Sequence, residues 1–121
     1  MEAKRTLVLG ASDHQARYAY LAVGSLFEKG HIPLPVGIRP GKIHGIDILL
    51  GQPPLRDIHT VTVYLNPRNQ AMHIDYVLRL KPKRIIFNPG AENPFFEQKS
   101  KAQNIEVVNA CTLVMLSIGN F

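Results

Sequence analysis

The chain has 121 residues, of which 45% are hydrophobic and 19% charged, and its formal net charge is +5. This length and composition favour a single globular domain over residues 1–121 and exclude a disordered chain. No apolar run approaches the roughly 20 residues that a membrane span needs. The single cysteine excludes an internal disulfide and a paired-cysteine zinc site, so we expect a reducing, cytoplasmic setting.

Short apolar runs rich in Val, Ile and Leu predict strands that are covered on both faces, as in a parallel sheet. Five such runs span residues 6–10, 32–37, 60–65, 84–88 and 105–109. A shorter run at 46–50 lies in a segment rich in Gly and Pro, and it predicts a minor strand.

Segments with helical spacing separate these strands. The predicted helices span residues 17–29, 67–81, 95–103 and 112–118. Gly30 stands where a C′ glycine ends the first helix, and Asn66 and Asn93 are N-caps, each followed by a proline at the first helical position. The apolar stripe predicted for the first helix comprises Tyr18, Leu21, Ala22, Ser25 and Leu26.

This alternation predicts right-handed βαβ crossovers. The expected fold class is therefore α/β, a Rossmann-like three-layer fold with a mostly parallel sheet of about five to six strands and helices on both faces. Open sheets of this kind bind ligands outside the carboxyl ends of their strands, where the strand order reverses. The residues that follow each strand are the candidates for a binding site.

The segment Gly10-Ala11-Ser12-Asp13 follows the first predicted strand and precedes a helix. Gly10 permits a tight turn, and Ser12 or Asp13 is placed to cap the helix, whose N–H groups and dipole attract an anion. Without the later glycines of G-x-G-x-x-G, an ordinary glycine turn is the alternative. Arg17 opposes the helix dipole, which a bound phosphate would compensate; the alternative is a solvated arginine.

Cations follow the second strand, at a position where an NAD enzyme carries an acidic residue. Arg39 and Lys42, after Gly37, suit a phosphorylated ribose or a diphosphate, as in NADP or coenzyme A; the alternative is a mobile basic loop. Two further segments place amides and helix N-termini at the same edge, although simple capping is the alternative for each. These segments are Asn66-Pro67 and Asn88-Pro89-Gly90.

Candidate catalytic residues are few. The five histidines show no metal-ligand spacing, Glu92 is a single carboxylate without a partner, and Ser12 lacks a G-x-S-x-G frame. Cys111 is interpreted as a buried structural thiol, with a low-pKa thiol at a helix start as the alternative. We therefore predict no catalytic residue and no metal site.

Several segments occur in the order of a known family. They are Thr6-Leu-Val-Leu-Gly-Ala-Ser12, Arg17-Tyr18, Val36-Gly37, Gly41-Lys42-Ile43-His44-Gly45, Phe87-Asn-Pro-Gly-Ala-Glu-Asn-Pro94 and Ala110-Cys-Thr-Leu-Val-Met-Leu116. Together they resemble the small stand-alone CoA-binding proteins, a family that is similar to the CoA-binding domain of the succinyl-CoA synthetase alpha subunit. The resemblance covers essentially the whole chain.

This resemblance implies that coenzyme A or an acyl-CoA lies across the strand ends. Residues 10–13 would form the phosphate-binding turn with support from Arg17, Lys42 would face the nucleotide end, and residues 88–90 would line the pantetheine arm. The synthetase's phosphorylated histidine lies outside this domain, so no reaction is implied. The shortened glycine loop departs from the richer loop of the synthetase.

The expected ligand is thus a small nucleotide-containing molecule, held by a carrier, sensor or regulatory module rather than by an enzyme. The alternative is a small NAD(P)-dependent oxidoreductase whose site forms at a subunit interface. A nucleic-acid partner is disfavoured because the basic residues are scattered, and no protein partner is indicated.

Overall fold

The structure is a computed structural model and describes residues 2–121. Its strands are β1 (Arg5–Leu9), β2 (Ile32–Gly37), β3 (Lys42–Ile43), β4 (Ile46–Asp47), β5 (Leu49–Leu50), β6 (Thr60–Val63), β7 (Arg84–Phe87) and β8 (Glu106–Asn109). Six of them form one parallel sheet in the order β5-β2-β1-β6-β7-β8, and β3 and β4 form a separate antiparallel hairpin.

Helices cover both faces of the sheet. They are α1 (Tyr18–Glu28), α2 (Pro67–Gln70), α3 (Ile74–Leu80), α4 (Pro94–Ala102) and α5 (Thr112–Ile118), and a 3₁₀ turn at Ala71–His73 joins α2 to α3. α1 and α5 pack together on one face, whereas α3 and α4 cover the other. The predicted Rossmann-like α/β fold is therefore confirmed. No helix within residues 2–121 has the length and apolar character to cross a bilayer.

The core explains why the strands read as continuous apolar runs. In β1, Leu7 and Leu9 pack into the layer of α3 and α4, while Val8 between them packs into the layer of α1 and α5. All three side chains are buried because successive residues of a strand point to opposite faces, and both faces are covered here.

The hairpin of β3 and β4 packs on α1. The His44 ring lies 5.5 Å from the Tyr20 ring, and a Cβ on Gly24 would come within 2.6 Å of the His44 Nε2 atom. A glycine in the middle of α1 thus makes room for the hairpin, which carries Lys42. This hairpin was not predicted: the run at 46–50 divides between β4 and β5, and only β5 joins the main sheet.

Two predictions about helices are wrong. The helix expected over 67–81 is interrupted by the 3₁₀ turn; just before it, the buried Gln70 side chain donates from Nε2 to the carbonyl oxygens of Leu65 and Ala91, both at 2.7 Å. In α1, Tyr18 and Leu21 are exposed because the buried stripe runs instead through Ala19, Ala22, Val23 and Leu26.

The predicted helix ends are largely confirmed. Gly30 has φ +85° and closes a Schellman motif, since its N–H donates to Phe27 O and that of His31 donates to Leu26 O. The side chains of Asn66 and Asn93 cap α2 and α4 as expected. The cap assigned to Ser12 or Asp13 is wrong, because α1 begins only at Tyr18 and its N-cap is Arg17.

Candidate functional site at the carboxyl edge of the sheet

The strand order reverses at β1. β2 and β5 lie on one side of it and β6, β7 and β8 on the other, so the chain leaves β1 and β6 toward opposite faces of the sheet. The four predicted site segments, at 10–17, 37–42, 66–67 and 88–90, follow four adjacent strands at this carboxyl edge. The topology therefore brings the predicted segments together along one edge.

Some N–H groups of the turn after β1 are already hydrogen-bonded within the protein. Gly10, with φ +97°, and Ala11 both donate their N–H groups to Val36 O at 2.9 Å. The Ser12 hydroxyl accepts from His14 N at 3.1 Å. Within residues 2–121, no acceptor takes the N–H groups of Ser12 and Asp13. The donors that this turn leaves for a ligand are therefore those of Ser12 and Asp13.

Glycines let the second loop pack directly on this turn. A Cβ on Gly37 would lie 2.3 Å from the Ala11 carbonyl oxygen, and one on Gly41 would lie 2.6 Å from the Asp13 carboxylate. Real Cβ atoms do not approach that closely, so at Gly37, where the obstacle is a backbone atom, only glycine fits. At Gly41 a side chain would have to displace the exposed Asp13 carboxylate. The loop that carries Arg39 and Lys42 is thus held beside the turn after β1.

The N-terminus of α1 has no side-chain cap. Its N-cap Arg17 has an extended backbone and no side-chain cap, and its first turn contains no acidic residue. The other helices that begin at this edge are served by asparagines: Asn66 Oδ1 accepts from Asn69 N, Asn93 Oδ1 from Phe96 N, and Asn88 Oδ1 from Thr112 N. Over the described chain, α1 alone presents an uncapped first turn at the carboxyl edge, where an anion is favoured.

Three cations lie on the segments that border this opening. Arg17 and Arg39 are exposed and form no ion pair within residues 2–121. Lys42 lies opposite Asp47 in the hairpin, with Nζ 3.5 Å from Oδ1 and both side chains at least 70% exposed. Such an exposed pair contributes little, between about 0 and 1 kcal/mol, so it does not hold the lysine in one position.

The buried Asn88 side chain links β6, β7 and α5 through hydrogen bonds. It is 3% exposed, and its Nδ2 donates to Thr62 Oγ1 at 2.7 Å and to Val63 O at 2.9 Å, while its Oδ1 accepts from Thr112 N at 2.9 Å. Because these three bonds occupy the amide, its side chain is not directed at a ligand. Sequence reasoning missed the role of Thr62 and Thr112.

Pro89 and Gly90 form the middle of a type II turn. Gly90 has φ +92°, and Ala91 N donates to Asn88 O at 2.8 Å. The N–H of Gly90 donates to Glu92 Oε1 at 2.8 Å. This turn therefore offers a ligand its carbonyl oxygens and not its N–H groups.

Tyr64, directly after β6, was also missed. Its hydroxyl is buried without a hydrogen-bond partner, and the Thr62 and Thr112 hydroxyls, which pair with each other at 2.8 Å, lie nearby. Burial raises the pKa of Tyr64 to about 12, and the neighbouring threonines offset only part of this. The signal available in the sequence was an aromatic residue at the end of a buried strand.

We expect Tyr64→Phe to leave the free energy of unfolding at pH 7 unchanged or slightly higher, because it removes an unpaired hydroxyl. The wild type should lose stability as the pH rises from about 10 toward 12, since the unfolded tyrosine ionises near 10 and the folded one only at about 12. Urea unfolding at pH 8, 10 and 11 measures this difference, which should reach about 1 kcal/mol at pH 11, where the unfolded tyrosine is mostly ionised and the folded one still mostly protonated. Identical pH dependence in both proteins would contradict the assignment.

Exposed apolar side chains also lie around these loops. Tyr18 at the start of α1 is 70% exposed, Ile38 directly after β2 is 86% exposed, and Phe95 lies exposed in the first turn of α4. Cys111, the N-cap of α5, is partly exposed, whereas a buried thiol was expected. The edge thus combines cations and free N–H groups with apolar surface, which suits a ligand that has both polar and apolar parts.

The candidate site is an open edge and not a closed pocket. Two surface depressions of the chain lie at the opposite, amino edge, one beside Lys81, Lys83 and Asn104 and the other beside Arg5 and His59. We place the site at the carboxyl edge nevertheless, because the strand reversal, the free N–H groups and the cations meet there. No cluster of three or more His, Cys, Asp and Glu side chains within residues 2–121 has a metal-binding arrangement.

Fold and edge together define a Rossmann-like ligand-binding domain. The family model of the CoA binding domain matches residues 4–117, nearly the whole chain. The chain therefore belongs to the CoA-binding domain family, which confirms the resemblance predicted from its sequence.

Solved structures share the fold of this chain. The chain is similar to the crystal structure of an uncharacterized protein, at 47% identity and a TM-score of 0.97 over 100% of both chains. A protein described as cell-free ID.343 from Thermus thermophilus is 28% identical, with a TM-score of 0.85 over 98% of this chain and 91% of that one. A hypothetical protein from Pyrococcus horikoshii OT3 shares the fold, at 20% identity and a TM-score of 0.84 over 95% and 82% of the chains. No curated protein matches.

Proposed function

We propose that this protein binds coenzyme A, or an acyl-CoA, across the carboxyl edge of its sheet. The observation that carries the proposal is the uncapped N-terminus of α1 together with the free N–H groups of Ser12 and Asp13 in the segment that precedes it. A diphosphate bound there would accept these hydrogen bonds, and Arg17 would add a charge-assisted contact. It would thus satisfy donors for which the chain supplies no acceptor.

The other two parts of CoA would extend along the carboxyl edge in opposite directions from the diphosphate. On one side, Arg39 and Lys42 would receive the phosphorylated ribose. On the other side, the pantetheine arm would run past Asn66 and Pro67 toward the carbonyl groups of Pro89 and Gly90. Tyr18 and Ile38 offer apolar surface beside the phosphates, where an adenine ring can pack.

The proposed role is that of a carrier, sensor or regulatory module without catalysis of its own. Two carboxylates on these loops already have local contacts, since Asp13 lies against Gly41 and Glu92 accepts from Gly90 N. Neither is paired with a second acid–base group in an arrangement that general acid–base catalysis would use.

Calorimetric titration with CoA, dephospho-CoA and NADP tests the proposal. CoA should bind about tenfold or more tightly than dephospho-CoA, because only CoA has the 3′-phosphate that Arg39 and Lys42 would contact. Equal affinity for the two would remove these cations from the site. Absence of CoA binding would overturn the proposed function, and tighter binding of NADP would favour a nicotinamide enzyme.

Lys42→Glu should weaken CoA binding by about 2 kcal/mol, or roughly 30-fold, because it replaces a charge-assisted contact with repulsion. Lys101→Glu is the matched control. Lys101 is also an exposed lysine paired with a carboxylate, Glu97 at 3.2 Å, but it lies in the last turn of α4, toward the amino edge. Equal losses in the two variants would indicate a general charge effect and exclude a specific role for Lys42.

A further inference from the structure

The strand β8 forms one end of the main sheet and pairs with a neighbour on one side only. Its register with β7 runs without a bulge over all four residues, from Glu106 to Asn109. None of the four is a lysine or a proline, which are residues that commonly protect an open strand edge. The strand at the other end of the sheet, β5, has only two residues. Within residues 2–121, β8 is therefore the longest strand edge without a partner.

The backbone groups that β8 leaves free can be assigned from its ladder with β7. Glu106 N donates to Lys83 O at 3.1 Å and Ala110 N donates to Phe87 O at 3.2 Å, so both residues direct their backbone groups toward β7. Consecutive residues of a strand direct these groups to alternate sides, so the residues between them that face away from β7 are Val107 and Asn109. No group within residues 2–121 bonds their N–H or C=O groups. The edge thus presents two donors and two acceptors on a strand that is already extended.

The surface around this edge carries little charge. Residues 102–121 contain a single charged side chain, Glu106, although the whole chain has 14 lysines and arginines. The helix that follows β8, α5, exposes Val114 and Ile118, which lie one turn apart and are 51% and 66% exposed. Two copies of a chain with a net charge of +5 repel each other least where such a surface separates them.

The other face of β8 is covered by α4, which carries charges of both signs. Glu97 pairs with Lys101 at 3.2 Å, and Lys99 Nζ lies 5.1 Å from the ring centroid of Phe95. Because the charges on this helix are mixed and partly paired, α4 does not surround the edge with charge of one sign.

We propose that β8 is a self-association edge, on which a second copy of this chain docks antiparallel to form a twofold-symmetric dimer with one continuous sheet. In the register that uses all the free groups, Val107 of each copy exchanges both backbone hydrogen bonds with Asn109 of the other, which gives four bonds. Val108 then lies on the twofold axis, about 4.5 Å between Cα atoms from the same residue of the second copy. Glu106 lies opposite Ala110, so no charge meets its own copy.

A second copy suits this edge better than a flexible peptide does. Its β8 strand is already ordered, whereas an extended peptide must lose conformational freedom before it can pair. The spacing of free groups is the same in both copies, so the two edges match by symmetry. A contact built on four residues per copy is small, and we therefore expect a dissociation constant in the micromolar range. Both CoA sites stay open, because antiparallel pairing directs the two carboxyl edges away from each other.

The test is analytical ultracentrifugation of the full chain in a reducing buffer, from low-micromolar to millimolar concentration, with amide hydrogen exchange on the same samples. We expect a reversible equilibrium between monomer and dimer. The N–H groups of Val107 and Asn109 should exchange more slowly as dimer forms, while that of Val108 is protected throughout because it faces β7. A monomer over the whole range would overturn the proposal. A dimer that leaves the exchange of Val107 and Asn109 unchanged would also overturn it, since its contact lies elsewhere.

Two variants and a matched control assign the dimer to this edge. Asn109→Pro removes an N–H that faces away from β7 and should weaken dimerisation about tenfold or more. Val108→Lys places two ammonium groups opposite each other at the axis and should give a monomer. Leu50→Lys adds the same charge to a half-exposed apolar residue of β5, at the other end of the sheet, and should dimerise like the wild type.

CoA binding and thermal unfolding show that each variant is folded before its mass is compared with that of the wild type. Two results would count against the edge: full dimerisation of folded Asn109→Pro, or equal losses in Val108→Lys and Leu50→Lys. A protein that dimerises as described but does not bind CoA would refute the proposed function alone.

Discussion

Replacing Gly37 with alanine is expected to lower the free energy of unfolding by about 2–3 kcal/mol and to reduce CoA affinity at least tenfold. The new methyl group would lie 2.3 Å from the Ala11 carbonyl oxygen, which belongs to the backbone and cannot rotate away. The turn after β1 must therefore shift, and with it the N–H groups of Ser12 and Asp13. Urea unfolding measures the first effect, and calorimetry with CoA measures the second.

Gly119→Ala separates a loss of stability from a loss of the site. Gly119 has φ +78° and nothing within 4 Å of its ideal Cβ position, so alanine there costs about 1 kcal/mol of backbone strain without displacing a neighbour. It closes α5 toward the amino edge, so CoA affinity should remain within twofold of the wild type. If Gly37→Ala binds CoA as tightly as Gly119→Ala does, the turn after β1 does not hold the ligand.

Features that depend on neighbouring residues could be predicted from the sequence. The five long strands were found because burial on both faces leaves continuous runs of Val, Ile and Leu, which a reader of the sequence can see. The caps at Asn66, Asn93 and Gly30 were found because each depends on a residue type within one turn of the helix end. The order of strands and helices then implied which segments meet at the carboxyl edge.

Features that depend on distant residues could not be predicted. The N–H groups of Gly10 and Ala11 turn inward because Val36, 25 or more positions away, provides the acceptor. The helix over 67–81 breaks next to Gln70, whose side chain binds the Ala91 carbonyl on another loop. The sequence therefore predicts which loops meet at the carboxyl edge, while the choice of free donors within those loops needs the structure.

Asn88→Ala is expected to lower the free energy of unfolding by about 3 kcal/mol, because it removes three buried hydrogen bonds and leaves Thr112 N without an acceptor. For a domain of this size the melting temperature should fall by roughly 10 °C. Asn66→Ala is the control, since Asn66 is an exposed asparagine that caps α2 with a single bond and should cost about 1 kcal/mol. Thermal and urea unfolding measure both losses.

The same variant tests whether the Asn88 side chain contacts CoA directly. Its side chain is committed to Thr62, Val63 and Thr112, so the folded Asn88→Ala protein should bind CoA within about threefold of the wild type through the turn of Pro89 and Gly90. A direct contact with the pantetheine arm would produce the reverse pattern: unfolding free energy nearly unchanged and CoA affinity reduced tenfold or more. Calorimetry at a temperature where the variant stays folded distinguishes these results. Loss of internal hydrogen bonds lowers the free energy of unfolding, whereas loss of a ligand contact lowers the affinity for CoA.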